Sequence, residues 1–324
     1  MAGIIKKKII RPVRDSFLYY FFQSVFIFSR LFPRKLLLAW HGFVAKIFFH
    51  LLRHSRKNIL KHLTMAFGKE KSPQEIYTMG KEVFVYLSKT FTDYGIFSNL
   101  TTREEFSKYF KIEGEEHLKK AYEKGKGVIC LIPHTAGWEF SAIMPPVMGY
   151  ETSALSREIK NKALNKLIIK MREKRGMKNI SRHHKCYDCL TEVLRKGECL
   201  IFMMDQDSKR IKGEFLKFFG MNAYTPVGCA KLAMDTGASI VPMATFRNED
   251  DTYTFKIYEE VPLVLTGNKE EDIRYNTQIH NDIMENIIKE KVSQWVWMHK
   301  RWDTTPEKLN AYLKKKMSKY QAQN

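Results

Sequence analysis

The sequence has few cysteines and no nucleotide-binding motif. Its five cysteines among 324 residues show no disulfide framework, which fits a reducing compartment such as the cytosol. No G-x-G-x-x-G or P-loop pattern occurs, so neither a dinucleotide nor a nucleoside triphosphate is indicated. We therefore expect no cofactor, and chemistry carried by ordinary side chains.

One cluster of potential metal ligands is present, formed by His183, His184, Cys186 and Cys189. A structural zinc site normally shows a second pair of ligands at a spaced distance, and no such pair is found. The sequence therefore does not predict a metal site.

Acidic residues are scarce relative to basic ones. The chain has 35 Asp and Glu against 55 Lys and Arg, giving a formal net charge of +20, so its partner should be anionic: nucleic acid, acidic lipid or a strongly acidic protein. The basic residues are spread along the chain, whereas the aromatic residues concentrate near its N-terminus. A nucleic-acid-binding surface would interleave the two, so we expect a membrane surface and no nucleic acid.

Long apolar runs are also lacking near the N-terminus. The uncharged run from Ser16 to Ser29 has fourteen residues, and a helix of that length reaches about 21 Å, short of the roughly 30 Å hydrocarbon core. A second segment, Leu36 to Leu52, is interrupted by Lys46 and His50. We expect a monotopic or short hairpin anchor on the cytoplasmic side of the membrane, assisted by anionic lipid. A buried core helix is the alternative interpretation.

The remainder alternates short apolar runs with amphipathic helical patterns. This order predicts an α/β fold with a mixed, mostly parallel sheet sandwiched by helices, and with an N-terminal membrane-associated helical segment. We place the anchor and a basic helical segment in residues 1–65 and the catalytic domain in residues 66–324. Thr225 is the expected N-cap of a helix over residues 227–235. The expected strands are Gly127–Ile132, Thr152–Ser156, Cys199–Met204 and Ser239–Phe246, with Tyr253–Tyr258 as an antiparallel edge strand.

The most informative stretch is GVICLIPHTAGWEF, residues 127–140. Pro133 ends the apolar strand, so His134 lies at its carboxyl end, and Glu139 follows at the start of a short helical segment. A histidine and a carboxylate placed in this way form a candidate general base with its orienting partner. A histidine satisfied by a local backbone group is the alternative.

The H-x4-[DE] spacing occurs twice more, at His183 with Asp188 and at His280 with Glu285. Neither copy follows a buried strand, so the context favours His134. Asp205 follows the apolar run from Cys199 to Met204 in the same way. Because ligands in open α/β sheets bind at the carboxyl ends of the strands, we expect His134 and Asp205 to converge on one cleft.

Several blocks carry a family resemblance over nearly the whole chain. HTAGWE resembles the H-x4-[DE] block of the glycerolipid and lipid A acyltransferases. KGECLIFMMDQD resembles a strand ending in Asp-x-Asp, with Gln206 where the family often has His. TPVGCAKLAMDTGASIVPM and the Trp-rich QWVWMHKRW resemble two later blocks. The sequence is therefore similar to the bacterial late lipid A biosynthesis acyltransferases, which make lauroyl and myristoyl esters.

The resemblance implies acyl transfer from an acyl carrier protein thioester to a hydroxyl of a phosphorylated membrane glycolipid, a lipid A precursor. The enzyme would act at the cytoplasmic face of the inner membrane. An acyltransferase acting on another glycolipid, such as a phosphatidylinositol mannoside, is the alternative. A non-enzymatic basic membrane-binding protein is less favoured.

The resemblance also implies roles for individual residues. His134 would act as general base and Glu139 would orient it. Arg157, Arg172 and Arg175 would bind phosphate, with Asp205 holding one of these arginines. Backbone N–H groups of the 135–138 turn, or the Arg172 guanidinium, would stabilise the oxyanion.

Overall fold

The computed structural model describes residue 16 and residues 31–156, 161–181 and 186–321. Helices α1 to α11 span, in chain order, Arg34–Leu51, Arg53–Phe67, Pro73–Ile96, Arg103–Ser107, Glu115–Glu123, Trp138–Val147, Lys162–Glu173, Cys186–Arg195, Gly228–Thr236, Lys269–Glu290 and Pro306–Gln321. Strands β1 to β9 span Phe110–Glu113, Val128–Leu131, Thr152–Ser156, Met177–Ser181, Cys199–Phe202, Gly213–Phe218, Met221–Pro226, Ser239–Arg247 and Tyr253–Ile257.

Seven of these strands form one mixed sheet in the order β1-β9-β8-β2-β5-β3-β4, and β6 pairs with β7 as a separate hairpin. Strand β2 lies at the centre, with parallel partners β5 and β8 on its two sides. Only the β8–β9 pair within this sheet is antiparallel. The predicted α/β class with a mixed, mostly parallel sheet is confirmed.

The sheet is buried on both faces, which explains why its central strand is a continuous apolar run. Alternate residues of a strand point to opposite faces. Ile129 and Leu131 of β2 accordingly join one hydrophobic core, and Val128 and Cys130 join the other. The carboxyl end of β2 therefore emerges between two packed layers.

Two local predictions differ from the structure. Strand β9 pairs antiparallel with β8 as expected, but it is not an edge strand, because β1 pairs with its other side. Thr225 lies in β7 and does not cap a helix. Its hydroxyl oxygen instead accepts hydrogen bonds from Arg301 and Asn281, so a tertiary contact replaces the predicted local one.

The apolar run from Ser16 to Ser29 lies outside the described residues, apart from Ser16. Within the described part of the chain, no single helix is long and apolar enough to cross a bilayer. The consecutive helices α1 and α2 together have sufficient length and apolar content, and they are bent by 90° relative to each other.

A buried ionic network joins α1 to the rest of the fold. Asp93 of α3 is fully buried and accepts two hydrogen bonds from Arg34 of α1, at 2.7 and 2.8 Å. Arg247 of β8 donates to the same carboxylate at 2.7 Å, and the Tyr253 hydroxyl donates at 2.9 Å. One carboxylate therefore fixes the first described helix against α3 and the sheet.

Replacement of Asp93 by Asn should lower the free energy of unfolding by about 3–5 kcal/mol, since removing one partner of a buried ion pair leaves an uncompensated charge. Urea denaturation in detergent would measure this loss. Lys119→Ala is the control, because its pairing with Glu123 is exposed and should contribute less than about 1 kcal/mol. Equal effects of the two changes would contradict the importance of the network.

Candidate functional site

His134 is held at the carboxyl end of β2 by a buried carboxylate from the neighbouring strand. Its backbone N–H donates to Oδ2 of Asp205 at 2.7 Å, and its ring Nδ1 lies 2.6 Å from Oδ1. Strands β2 and β5 are parallel neighbours, so their carboxyl ends place the two residues side by side. The predicted convergence of His134 and Asp205 is confirmed.

Asp205 is fully buried and ionised. Its Oδ2 also accepts a hydrogen bond from the indole N–H of Trp295 at 2.8 Å. Burial alone would raise the pKa of Asp205, but the nearby charge of His134 and the hydrogen bonds from His134 and Trp295 outweigh burial and lower the pKa to about 2. The site thus has a permanent negative charge at neutral pH.

This contact fixes the tautomer of the His134 ring. A carboxylate can only accept, so Nδ1 carries a proton, and in the neutral imidazole Nε2 then has the lone pair. The side chain of His134 is 17% exposed while that of Asp205 is inaccessible. In its neutral form the ring therefore presents one basic nitrogen that is not used by Asp205.

Glu139 makes a different contact from the one expected. Its carboxylate forms a paired interaction with Arg172, with Oε2 3.1 Å from Nε and Oε1 2.5 Å from Nη2. Oε1 also accepts from the Trp138 indole at 3.1 Å, and Oε2 from the Tyr94 hydroxyl at 3.4 Å. The two carboxylates have therefore exchanged their expected partners: Asp205 contacts the histidine, and Glu139 contacts the arginine.

Of the other two predicted arginines, the structure describes Arg175, which forms no hydrogen bond with His134, Asp205 or Glu139. Arg175 is 3% exposed, and its guanidinium donates to the backbone carbonyls of Leu100, Met171 and Phe97 at 2.6–3.0 Å. These bonds tie the end of α7 to the end of α3, which favours a structural role. Arg157 lies outside the described residues.

The alternative histidines do not form comparable sites. His183, with its neighbour His184, lies outside the described residues. His280 is fully buried in α10, and burial lowers its pKa to about 4. Among the residues that the structure describes, no group of three or more His, Cys, Asp or Glu side chains is placed to hold a metal ion.

The turn after His134 packs tightly against β8. A Cβ on Gly137 would lie 2.7 Å from the backbone oxygen of Thr245 and 2.9 Å from its Cβ, so only glycine fits without a shift. The hydroxyl of Ser141 donates to that of Thr245 at 2.9 Å, and Thr135 Oγ1 donates to the Thr245 carbonyl at 3.3 Å. The turn is therefore held rigidly by its neighbour strand.

The segment from residue 292 to residue 304 covers this turn, and sequence analysis assigned it no site residue. The backbone N–H of Val296 donates to the carbonyl of His134 at 3.0 Å, and Thr135 forms an isolated antiparallel bridge with Trp295. The Gln294 side chain makes two bonds of 2.8 Å with the backbone of Arg247. The Trp-rich block thus joins β2 to β8.

The side chains of residues 205–207 each form a hydrogen bond with the same segment. Asp205 accepts from Trp295, as above. The Nε2 atom of Gln206 lies 3.1 Å from the Nε2 atom of His299. Asp207 accepts from the backbone N–H and the hydroxyl of Thr304, both at 2.6 Å. Apart from Thr304, these residues belong to the sequence blocks KGECLIFMMDQD and QWVWMHKRW. Only the fold shows which residue of one block contacts which residue of the other.

His299 lies beside the proposed base. Its ring is half-buried, with its centroid 5.7 Å from that of His134 and the two planes at 65°. The Trp138 ring also lies near the His134 ring, with the two centroids 6.1 Å apart and the planes tilted by 48°. The rings of Trp138 and His299 therefore both lie next to the imidazole of His134.

Residues 6–304 match the family model described as bacterial lipid A biosynthesis acyltransferase. The chain belongs to this family. A candidate base at the carboxyl end of a strand is consistent with such an acyltransferase.

Individual members of this and related groups are more distant. A lipid A biosynthesis acyltransferase of Haemophilus influenzae is 24% identical over 200 residues, which cover 61% of each chain. A phosphatidylinositol mannoside acyltransferase of Mycobacterium tuberculosis is 25% identical over 59% of each chain. The lipid A biosynthesis palmitoleoyltransferase of Escherichia coli is 26% identical over 61% of this chain and 63% of its own length. The chain spans about three fifths of the length of each of these relatives.

Proposed function

We propose that this protein transfers a fatty acyl chain from an acyl carrier protein thioester to a hydroxyl of a phosphorylated membrane glycolipid of the lipid A precursor type. The observation that carries the proposal is the buried Asp205–His134 pair, which leaves Nε2 of the histidine as a base at the carboxyl end of the central strand. Family membership supports the reaction class.

The reaction needs no protein nucleophile. Nε2 of His134 removes the proton of the acceptor hydroxyl as its oxygen attacks the thioester carbonyl carbon. The tetrahedral intermediate then collapses, the C–S bond breaks, and the imidazolium returns its proton to the departing thiolate. The products are an ester and a free thiol, and Asp205 stabilises the transient imidazolium through Nδ1.

Glu139 acts as a positioning residue for Arg172 in this proposal. Pairing with the carboxylate fixes the plane of the guanidinium. The Arg172 side chain is 17% exposed, and its Nη1 is only weakly engaged by Ser156 at 3.4 Å. An arginine held in this way can meet an acceptor phosphate with a planar fork that lysine cannot provide. Arg157, from the 157–160 segment, remains a second candidate phosphate ligand.

The phosphatidylinositol mannoside alternative retains some support. Relatives bearing that name match this chain about as well as those named for lipid A. Both acceptors carry hydroxyls and a phosphate, so the same base and arginine serve either reaction. The acceptor must therefore be identified by its product.

Helix α1 provides the proposed contact with the membrane. Five large apolar residues spaced three or four positions apart form one exposed stripe along it, between 44% and 65% accessible: Leu36, Trp40, Phe43, Ile47 and Leu51. Lys46, Arg53 and Lys57 add positive charge nearby. A helix with this pattern lies in the plane of an anionic interface with its apolar face among the acyl chains.

Mass spectrometry of lipid A from a host lacking its own late acyltransferase is the direct test of function. Expression of the wild-type chain should add one acyl chain to the precursor, and His134→Ala should abolish most of this addition, because a positioned base contributes about 10²–10⁴-fold. Acylation of a phosphatidylinositol mannoside alone would favour the alternative. Full activity of His134→Ala would overturn the site assignment.

Asp205→Asn should lower kcat by about 10³–10⁴-fold, as expected when the tautomer of a catalytic histidine is lost. An amide at this position must place its NH₂ either against the N–H donors of His134 and Trp295 or against Nδ1, which moves the proton to Nε2. Glu139→Gln is the matched comparison, and it should mainly raise the KM of the phosphorylated acceptor. The reverse ranking in kcat would restore Glu139 as the orienting residue of His134.

Quenching of tryptophan fluorescence by brominated lipid tests the membrane contact. Anionic vesicles with bromine on the upper acyl chain should quench the wild-type protein, and Trp40→Phe should remove most of the quenching, because Trp40 lies on the exposed stripe. Trp302→Phe, which changes a half-buried ring elsewhere, is the control. Undiminished quenching in Trp40→Phe would exclude α1 as the inserted face.

A further inference from the structure

The reaction proposed above must stabilise a negative oxygen, and three of the four backbone donors expected in the 135–138 turn are already engaged. Within the 135–138 turn, Thr135 N–H donates to the Pro133 carbonyl at 2.7 Å, Trp138 N–H to the Thr135 carbonyl at 3.1 Å, and Ala136 N–H to the Gln294 carbonyl. These three groups hold the turn together. They are not available to a ligand without breaking it.

Arg172 is committed as well, because the proposed function already assigns it to the acceptor phosphate. Two of its three guanidinium nitrogens bind Glu139, and the third lies 3.4 Å from the Ser156 hydroxyl. A guanidinium that is neutralised by a carboxylate stabilises a new anion less well than a free one. Of the donors expected from the sequence, all within the described part of the chain, only the Gly137 N–H is left, so a second donor would have to come from a side chain near His134.

His299 is a candidate donor beside His134. Its ring is 5.7 Å from the ring of His134, it is half-buried, and it is fixed by residues 205–207 through Gln206. The Gln206 atom in contact is the amide nitrogen, which can only donate, so Nε2 of His299 accepts and Nδ1 carries the proton. Nδ1 makes no hydrogen bond to any residue in the part of the chain that the structure describes.

The charge state of His299 is also suitable. Burial, and next the proximity of His134, lower its pKa, while Asp205 opposes them. The ring is thus neutral at neutral pH, and a neutral imidazole N–H is a good donor to a developing oxyanion. It carries no net charge that would compete with the protonation of His134 during the reaction.

We propose that His299 donates its Nδ1–H to the oxyanion of the tetrahedral intermediate, and that Gln206 is a positioning residue that selects this tautomer. This inference rests on the proposed acyl transfer. It adds a second histidine to the site, with a role separate from that of the base: His134 moves the proton, and His299 stabilises the oxygen that becomes negative.

A pair of substitutions separates this role from a structural one. In His299→Asn the side-chain amide nitrogen stands where Nδ1 stood, so an N–H donor is retained, whereas His299→Leu has similar bulk and no donor. Both variants lose the contact between Nε2 and Gln206. A purely structural role therefore predicts equal loss in the two variants.

With lauroyl-acyl carrier protein and the lipid A precursor as substrates, His299→Leu should lower kcat by about 10²–10³-fold, the usual loss on removing one oxyanion donor. The KM of the acyl donor should change little, since the interaction forms only in the transition state. His299→Asn should retain at least about tenfold more activity than His299→Leu. Equal kcat values in the two variants, or an unchanged kcat in His299→Leu, would overturn the proposal and transfer the role to the Gly137 N–H.

Nuclear magnetic resonance of the protein labelled with 15N-histidine gives a readout that does not depend on activity. The resonances of His299, assigned by their loss in His299→Asn, should show a protonated Nδ1 and an unprotonated Nε2 at neutral pH. An Nε2–H tautomer would refute the inference. Absence of acyl transfer by the wild-type protein would instead refute the proposed function, so the two failures are distinguishable.

Discussion

The carboxylate of Asp205 is the group around which the site is assembled. It is removed entirely from water and accepts three hydrogen bonds, from the ring and the backbone of His134 and from the indole of Trp295. A buried charge is tolerated only when such partners replace its hydration. Any displacement of these partners would leave the charge unsatisfied, so the same bonds that stabilise the carboxylate fix the geometry of the candidate site.

This constraint extends beyond the histidine. Gln206 and Asp207 repeat the attachment at His299 and Thr304, so three consecutive residues bind three points along the segment 295–304. The backbone of that segment in turn binds the His134 turn and β8. These bonds hold the carboxyl ends of β2, β5 and β8 together as one rigid unit. Precise positioning of the proposed base requires such rigidity.

Much of this organisation could be predicted from the sequence. The continuous apolar runs gave the central strands β2, β5 and β8, because a parallel sheet covered on both faces needs them. The rule that ligands bind at the carboxyl ends of strands then predicts that His134 and Asp205 lie together. The short β1 strand and the β6–β7 hairpin escaped prediction because their patterns are weak over four to six residues.

The partners of the two carboxylates could not be predicted in the same way. Spacing along the chain favoured Glu139 for His134, since the two are five residues apart, yet Asp205 reaches the ring from a neighbouring strand. The choice depends on strand order and on where α6 directs its first turn, and both are tertiary properties. The contact of Gln206 with His299 spans 93 positions, a distance at which local patterns carry no information.

The closing segment has a consequence for the order in which the molecule becomes competent during synthesis. Helix α1, with its exposed apolar stripe, and the strand carrying His134 leave the ribosome long before Trp295, which lies 90 positions beyond Asp205. Until that indole arrives, the carboxylate lacks one of its three donors and His134 lacks the strand bridge that covers its turn. If α1 is the membrane contact proposed above, a nascent chain reaches the membrane surface while the proposed base is still unassembled, which separates the time of delivery from the onset of catalysis.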